Sequence, residues 1–450
     1  MAIRAKKDAG STGLPKEAVD HLTYPIARFL QIESAGGAVL LLFTIAAIVL
    51  SNSPWAARFE HLWELPVGLQ VGSFELSRAL REWINDGLMT LFFFLVALEL
   101  KRELVLGELK KPRMAALSIA AALGGMVVPV ATYLVLQAGQ PGLHGWGTVM
   151  ATDTAFVIGS LALLGRRIPQ SLRVFMLSLA IVDDIGAILV VAIGYSSGLA
   201  WWPLAMAGAG LVIIRAMALL GFRGFPLYVL VGVCIWFAVG ASGTHAPITG
   251  VVLGLMTPAR RWVGDKRLYA ILDQVIAHPA GDASSSDTKD RRTLQMAEVA
   301  ARETISPLER LEVALHPWVG FLIMPLFAFA NAGMPLSFDH LASSVSIAVF
   351  VGFVLGKPTG VVLFSWLAIR AGIATRPPEL NWKLLIGGGM LSGIGFTMAL
   401  FIANMAFHES LLENAKMGIF LASVFSAAAG IIFLMRLPAQ EDKIPADEDP

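Results

Sequence analysis

Cysteine is almost missing from this 450-residue chain: Cys234 is the only one, which excludes an intramolecular disulfide framework and a cysteine metal cluster. Its expected state is a buried, inert thiol. Charge is scarce as well, at 15% of residues, where soluble domains carry about 25%. The net charge of +1 gives no bulk attraction for nucleic acid. Polar loops are few: 56% of the residues are hydrophobic before 43 glycines are counted. The composition is that of an all-α polytopic membrane protein. Nucleotide and hydrolase motifs are absent too, since no GxxxxGK[ST] loop and no GxSxG elbow occurs, so neither ATP-driven transport nor serine hydrolysis is supported. No histidine and cysteine cluster has metal-ligand spacing, and no cofactor is expected. The polar first 20 residues, with Arg4, Lys6 and Lys7 and no apolar core, do not read as a cleaved signal peptide.

What is present is a series of about twelve apolar windows near spanning length. They lie near 33 to 52, 84 to 104, 113 to 136, 147 to 165, 172 to 196, 200 to 220, 225 to 240, 243 to 257, 308 to 332, 344 to 368, 382 to 405 and 416 to 436. The seventh and eighth are short and glycine-rich. Five regions follow: a tail over 1–32, segments 1–8 over 33–257 with an outer hairpin loop near 53–82, a loop insertion over 258–306, segments 9–12 over 307–436, and a tail over 437–450. Lys and Arg concentrate on alternate connections, including Lys101, Arg102, Lys110, Lys111, Arg166, Arg167, Arg173, Arg215, Arg223, Arg260 and Arg261. The connections near 137 to 146, 196 to 200, 240 to 243 and 333 to 343 contain none. By the positive-inside rule both termini are cytoplasmic, as an even number of crossings requires. Arg58, Arg78 and Arg81 in the first outer loop are the exception, mixed there with acids.

Outside the membrane, PVGLQVGSFEL (66 to 76) has the spaced apolar residues and glycines of a β-hairpin. A lone hairpin is marginal in water, so it pairs with a second copy in a homodimer or serves as a connector. AGDASSSDTKDRRT (280 to 293) has a disordered composition. Ser306, Pro307 and Glu309 fit N-cap, N1 and N3 of a capping box, which starts a helix at 307.

The chain is organised around VFMLSLAIVDDIGAILVVAIGYS (174 to 196), an apolar run broken near its middle by Asp183 and Asp184. A mid-membrane carboxylate costs about 2.5 to 3.5 kcal/mol on insertion scales, a cost that packing does not recover. Neighbouring helix residues point about 100° apart, so the two acids address different surroundings. Their mutual repulsion suits the pair to holding and releasing a proton, at a site where protons and a cation compete. GTVMATDTAFVIGSLALLG adds Asp153 between Thr152 and Thr154. These are hard oxygen ligands for a small alkali cation, and their competition with backbone hydrogen bonds favours a local unwinding; a capped helix end at the interface is the other reading. Lys357, near the centre of the tenth segment, needs a carboxylate at similar depth, Asp184 or Asp183, and Pro358 disturbs the backbone beside it. Gly393 and Gly395 in SGIGFTMALF read as a break or as a close helix contact. Glu99 lines an inner funnel or is an interfacial charge. His245 and His316, at segment ends facing opposite connections, read by default as satisfied interfacial histidines.

ATDTAF, LAIVDDIGAI, GKPTG, GTHAPITG, LHPW, MPLFAFANAG and SGIGFTMALFIA together resemble the NhaA-type sodium/proton antiporter family, from about residue 30 to about 436. The resemblance implies twelve helices, with an inverted-repeat core whose two discontinuous helices cross at mid-membrane. It makes Asp184 the main carboxylate for sodium ion and protons, Asp183 its partner, Thr152 and Asp153 the crossing point, and Lys357 the charged core lysine. It makes Glu99, His245 and Glu312 candidates for pH response, and the hairpin a dimer contact. The 258–306 insertion and Val313, where a histidine can precede LHPW, depart from the pattern. The activity implied is electrogenic export of Na+, and Li+ with it, in exchange for protons across the bacterial inner membrane, with no enzymatic step. A sodium-coupled organic anion symporter is the alternative and would need an added solute cavity. An intramembrane aspartyl protease would want an acid where GIGF has none. A prenyl-transfer enzyme would want DxxxD or DDxxD clusters.

Overall fold

A computed structural model describes residues 33–71, 74–107, 112–195, 198–222, 224–277 and 288–438. Residues 1–32 and 439–450 of the two tails, Lys110, Lys111, Arg223 and the first part of the 280 to 293 stretch therefore lie outside the described residues. Helix dominates because the sequence is a succession of apolar stretches, within which only internally hydrogen-bonded backbone is stable in a membrane. In order come α1 (Glu33–Ser51), α2 (Ala56–Glu64), β1 (Pro66–Val71), β2 (Phe74–Ala79), α3 (Leu80–Val105) and α4 (Pro112–Leu136). A 3-10 helix, Pro141–Val149, precedes α5 (Thr154–Leu163); then come α6 (Gln170–Gly194), α7 (Trp201–Leu219), α8 (Phe225–Ala241) and α9 (Ile248–Met256). α10 (Asp265–Ala277) and α11 (Thr288–Glu303) form the insertion. α12 (Pro307–Asn331), α13 (Ser344–Arg370), α14 (Trp382–Ser392), α15 (Phe396–Ala406) and α16 (Glu409–Met435) complete the chain.

Among the described residues, seven helices are long and apolar enough to cross a membrane, or ten if each bent pair is one span. The protein is thus a polytopic all-α membrane protein. The pairs are α1 with α2, bent by 115°, the 3-10 helix with α5, bent by 48°, and α14 with α15, bent by 45°. The eighth expected segment is shorter than the hydropathy window: Gly243 sits at φ +81°, and helix starts only after Pro247, leaving nine residues in α9.

Local signals account for many boundaries. Ser306 Oγ accepts from Glu309 N (3.2 Å) while Glu309 accepts from Ser306 N (3.0 Å), so the capping box forms and α12 starts at Pro307. The strands pair antiparallel from Pro66 opposite Ala79 to Val71 opposite Phe74, and Trp83 Nε1 donates to Val67 O (2.8 Å) to tie the hairpin to α3. Pro325 and Pro358 each follow a π-helical turn, Val319–Ile323 and Gly352–Gly356; the wider turn accommodates the missing donor and the ring. Two expectations are corrected. Residues 288–293, read as disordered, belong to helix α11. Cys234 is exposed, not buried, because it lies on the outer side of α8, and in a bilayer an apolar thiol loses nothing by facing lipid.

Glycine sets the closest helix contacts. A Cβ on Gly360 of α13 would collide with Gly124 O of α4, and one on Gly124 with Gly360 O. The backbones therefore touch, as small-residue seams in membranes do. Gly250 and Gly254 of α9 make the same kind of seam against Thr90 O and Phe94 O of α3. The first seam positions Lys357, one turn before Gly360.

Candidate functional site

Two of the bent pairs, the 3-10 helix with α5 and α14 with α15, interrupt their backbone deep inside the protein, at residues 150–153 and 393–395. The interruptions touch. Asp153 N donates to Ile394 O (2.7 Å), and Thr152 Oγ1 lies 3.2 Å from Ser392 O. Each break exposes helix ends whose groups have no partner within their own helix, and side chains supply the rest. Asp153 accepts from Phe156 N (3.2 Å) at the start of α5 and from Thr397 N (3.0 Å) at the start of α15, and Thr397 Oγ1 also donates to it. One carboxylate thus caps two positive helix ends. At the other polarity, Lys357 Nζ donates to the carbonyl of Met150, the residue that caps the 3-10 helix at the first break, and Thr152 faces the last carbonyl of α14.

Gly393 and Gly395 have φ of −68° and −94°, values open to any residue. Space requires them: a Cβ on Gly393 would press on Phe353 O and Ser426 Oγ, and one on Gly395 would enter the Phe353 ring. Both sequence readings, break and close contact, therefore hold at the same place.

The acid pair stands beside the breaks. Asp183 Oδ2 receives Lys357 Nζ at 2.7 Å and Thr152 Oγ1 at 2.5 Å. Asp184 Oδ2 receives Thr154 Oγ1 at 3.2 Å. Lys357 thus selects Asp183 of the two acids that sequence depth allowed. Oδ1 of Asp183 and Oδ1 of Asp184 are buried without a hydrogen-bond partner among the described residues. Asp153, Thr152 and Lys357 are fully buried, and Asp183 and Asp184 are 1% and 2% exposed, so Lys357 does not snorkel. Chemically, the site offers two carboxylates, two threonine hydroxyls and a fixed internal countercharge in a region of low dielectric.

The other candidates lie apart from this cluster. Glu99, half-buried on α3, is within electrostatic range of Asp184. Glu312 forms an ion pair with Arg102, which also meets Glu103 at 3.4 Å, at the basic end of the bundle. His245 lies at the opposite end, its Nε2 3.1 Å from Tyr195 O just beyond α6. Burial pushes the Tyr195 hydroxyl up to about 12, so it stays protonated; it accepts from Gly147 N (2.9 Å) and donates to His144 O (3.0 Å), holding the 3-10 helix to the end of α6. Sequence reading missed Thr397 and the Met150 carbonyl. A hydroxyl two residues after a GIG break was the available signal for Thr397; no residue type marks a carbonyl.

Comparisons with known proteins show the family. The model of the family described as Na+/H+ antiporter 1 matches residues 27–434. A relative from Acidiphilium cryptum (strain JF-5), named Na(+)/H(+) antiporter NhaA 2, is 59% identical over 434 residues, covering 96% of this chain and 97% of its own. The Na(+)/H(+) antiporter NhaA of Rhizobium meliloti (strain 1021) is 58% identical over 424 residues, 94% and 97% of the two chains. Na(+)/H(+) antiporter NhaA 2 of Vibrio vulnificus (strain CMCP6) is 54% identical over 442 residues, 98% and 99%. These relatives are transporters, not enzymes.

Proposed function

The chain belongs to the Na+/H+ antiporter 1 family, and from that premise we propose that it exports Na+, and Li+ with it, in exchange for protons across the bacterial inner membrane, regulating internal pH and sodium. The observation that carries this reading is the buried pair Asp183 and Asp184, each with one oxygen that has no hydrogen-bond partner among the described residues. A cation needs those oxygens ionised and a proton neutralises them, so the two ligands compete for the same atoms. Asp184 is the principal ion carboxylate, because its protein partner is a neutral hydroxyl, whereas Asp183 is held by Lys357 and Thr152. A sodium ion at Asp184 finds Thr154 Oγ1 as a further oxygen ligand, and it draws on Asp183 only as Lys357 yields. Carriage of a proton on each acid against one Na+ moves net charge, which makes the exchange electrogenic.

In the same reading the chain crosses twelve times with both termini cytoplasmic, and the two broken helices cross at mid-membrane within an inverted-repeat core. The mutual hydrogen bonds of the breaks support the crossing, and the alternation of basic connections supports the orientation. Glu99, Glu312 and His245 tune the pH response from the rim of the site and from the two ends. The two-stranded hairpin, marginal alone, pairs with that of a second copy in a homodimer.

The test is dequenching of a pH-sensitive dye in inverted vesicles on addition of Na+, Li+ or K+. Na+ and Li+ release protons, and the response falls as acidification fills the pair. Asp184→Asn abolishes exchange at unchanged levels of inserted protein; normal antiport by that variant at any pH would overturn the mechanism.

A further inference from the structure

Two adjoining cavities on the basic end of the bundle share one wall, Trp382. The first, about 420 Å³, is bounded by the loop between α5 and α6, the start of α14 and the end of α16, with Arg167, Lys383, Trp382, Leu434 and Leu437 among its lining residues. The second, about 540 Å³, is an apolar groove between α13 and α14. Its α13 side is Thr359, Val362, Leu363 and Trp366, a stripe at helical spacing, and its α14 side is Trp382 and Ile386. The stripe covers seven residues of rise, about 10 Å at 1.5 Å per residue. It leads from Trp382 at the basic end toward Pro358, the neighbour of Lys357.

The charges around the first cavity are unspent. Among the described residues Arg167 donates only a long bond, 3.4 Å, to Met435 O. Lys383 makes no hydrogen bond or ion pair among the described residues, and Arg376, 5.8 Å over the Trp382 ring, bonds the Leu380 carbonyl. Glu379 is the one acid between Arg370 and Lys383. It is exposed and pairs with none of these cations among the described residues. The amino end of α14, capped by Asn381 on Leu384 N at 2.8 Å, adds its partial positive charge.

We propose that the two cavities together form a site for one anionic phospholipid of the leaflet at this end, with the phosphodiester between Arg167 and Lys383 and an acyl chain in the groove beyond Trp382. A soluble anion would use the cations alone and leave the groove without purpose. A zwitterionic lipid would use the groove and bring an ammonium against the cations. Basic pockets between membrane helices bind acidic head groups in this way, and tryptophans at that depth anchor the interface. The occupant joins the loop after α5, the start of α14 and the end of α16, and so ties together the inner ends of both broken spans. This goes beyond the exchange activity, and its test does not use transport.

The full-length protein in detergent is titrated with phosphatidylglycerol, with phosphatidylcholine of the same chains, and with glycerophosphate. Bound lipid is followed by native mass spectrometry and by melting temperature. Phosphatidylglycerol is expected to bind and raise the melting temperature, while the other two do so weakly or not at all. The double variant Arg167→Gln/Lys383→Gln, both exposed positions, should bind phosphatidylglycerol roughly 30-fold more weakly, from about 1 kcal/mol per basic residue. Trp382→Ala should weaken it separately, by removing the shared wall. Undiminished phosphatidylglycerol binding by the double variant would overturn the proposal. Equal protection by glycerophosphate would show a soluble-anion site instead, and equal binding of phosphatidylcholine a groove without charge recognition.

Discussion

The centre of the molecule and its ends use the same ion-pair chemistry in opposite circumstances. At the centre, Lys357 and Asp183 meet at 2.7 Å with neither side chain exposed. At one end, Arg78 and Asp86 meet at 3.1 Å with 28% and 32% of their side chains exposed. Water already stabilises the outer pair when it separates, so such contacts are worth about 0 to 1 kcal/mol. Burial costs several kcal/mol per ion at the centre, and only close pairing and further hydrogen bonds offset it. The contrast explains the division of labour. A central charge cannot change partner or protonation without altering the balance of the whole cluster, whereas a charge at the ends can; in the proposed function that sensitivity is what would couple a proton to a cation.

The largest effect expected from breaking this contrast is at Lys357. Lys357→Ala leaves Asp183 buried without its cation and should cost about 3 to 5 kcal/mol, read as a sharply lowered melting temperature in detergent. Adding Asp183→Asn should restore part of the loss, since the double variant has no uncompensated charge. Unchanged melting in the single variant would mean that the centre is as solvated as the ends.

Asp153→Asn comes next. Asparagine keeps one oxygen for capping, but the charge that serves both α5 and α15 is gone, a loss of about 1 to 2 kcal/mol for two helix ends. Exchange should slow without vanishing, and vesicle assays showing either wild-type rates or none would contradict a capping role. The smallest change is expected at His245, which meets the Tyr195 carbonyl at the far end. Because this residue lies at the far end from the acid pair, His245→Ala should shift the pH profile of exchange modestly. Complete loss of pH dependence would place control at that end and not in the acid pair.

Much of this contrast was visible in the residues. Acids inside an apolar run, a lysine at mid-segment and threonines around Asp153 stand out because hydropathy makes them costly. The capping box at Ser306 and the hairpin at 66 to 79 are local patterns, closed within a few residues. Other features had no such signature. Helix α11 of the insertion begins in polar sequence, whose composition resembles a linker. Cys234 was expected inside because hydropathy separates membrane from water, and it cannot separate a lipid-facing side from a protein-facing one, both being apolar.

The sequence by itself determined which groups would enter the membrane charged or polar, that a helix would start at Pro307, and which connections would be basic, since each depends on neighbours within a turn or two. The tertiary structure alone decided that Lys357 takes Asp183, 174 positions away, in preference to Asp184. It alone decided that Asp153 reaches Thr397 across 244 positions to cap a second helix, and that Gly124 and Gly360 let α4 and α13 touch so that Lys357 arrives at that depth. Those choices follow from the distances between packed helices, which no periodicity along the chain records.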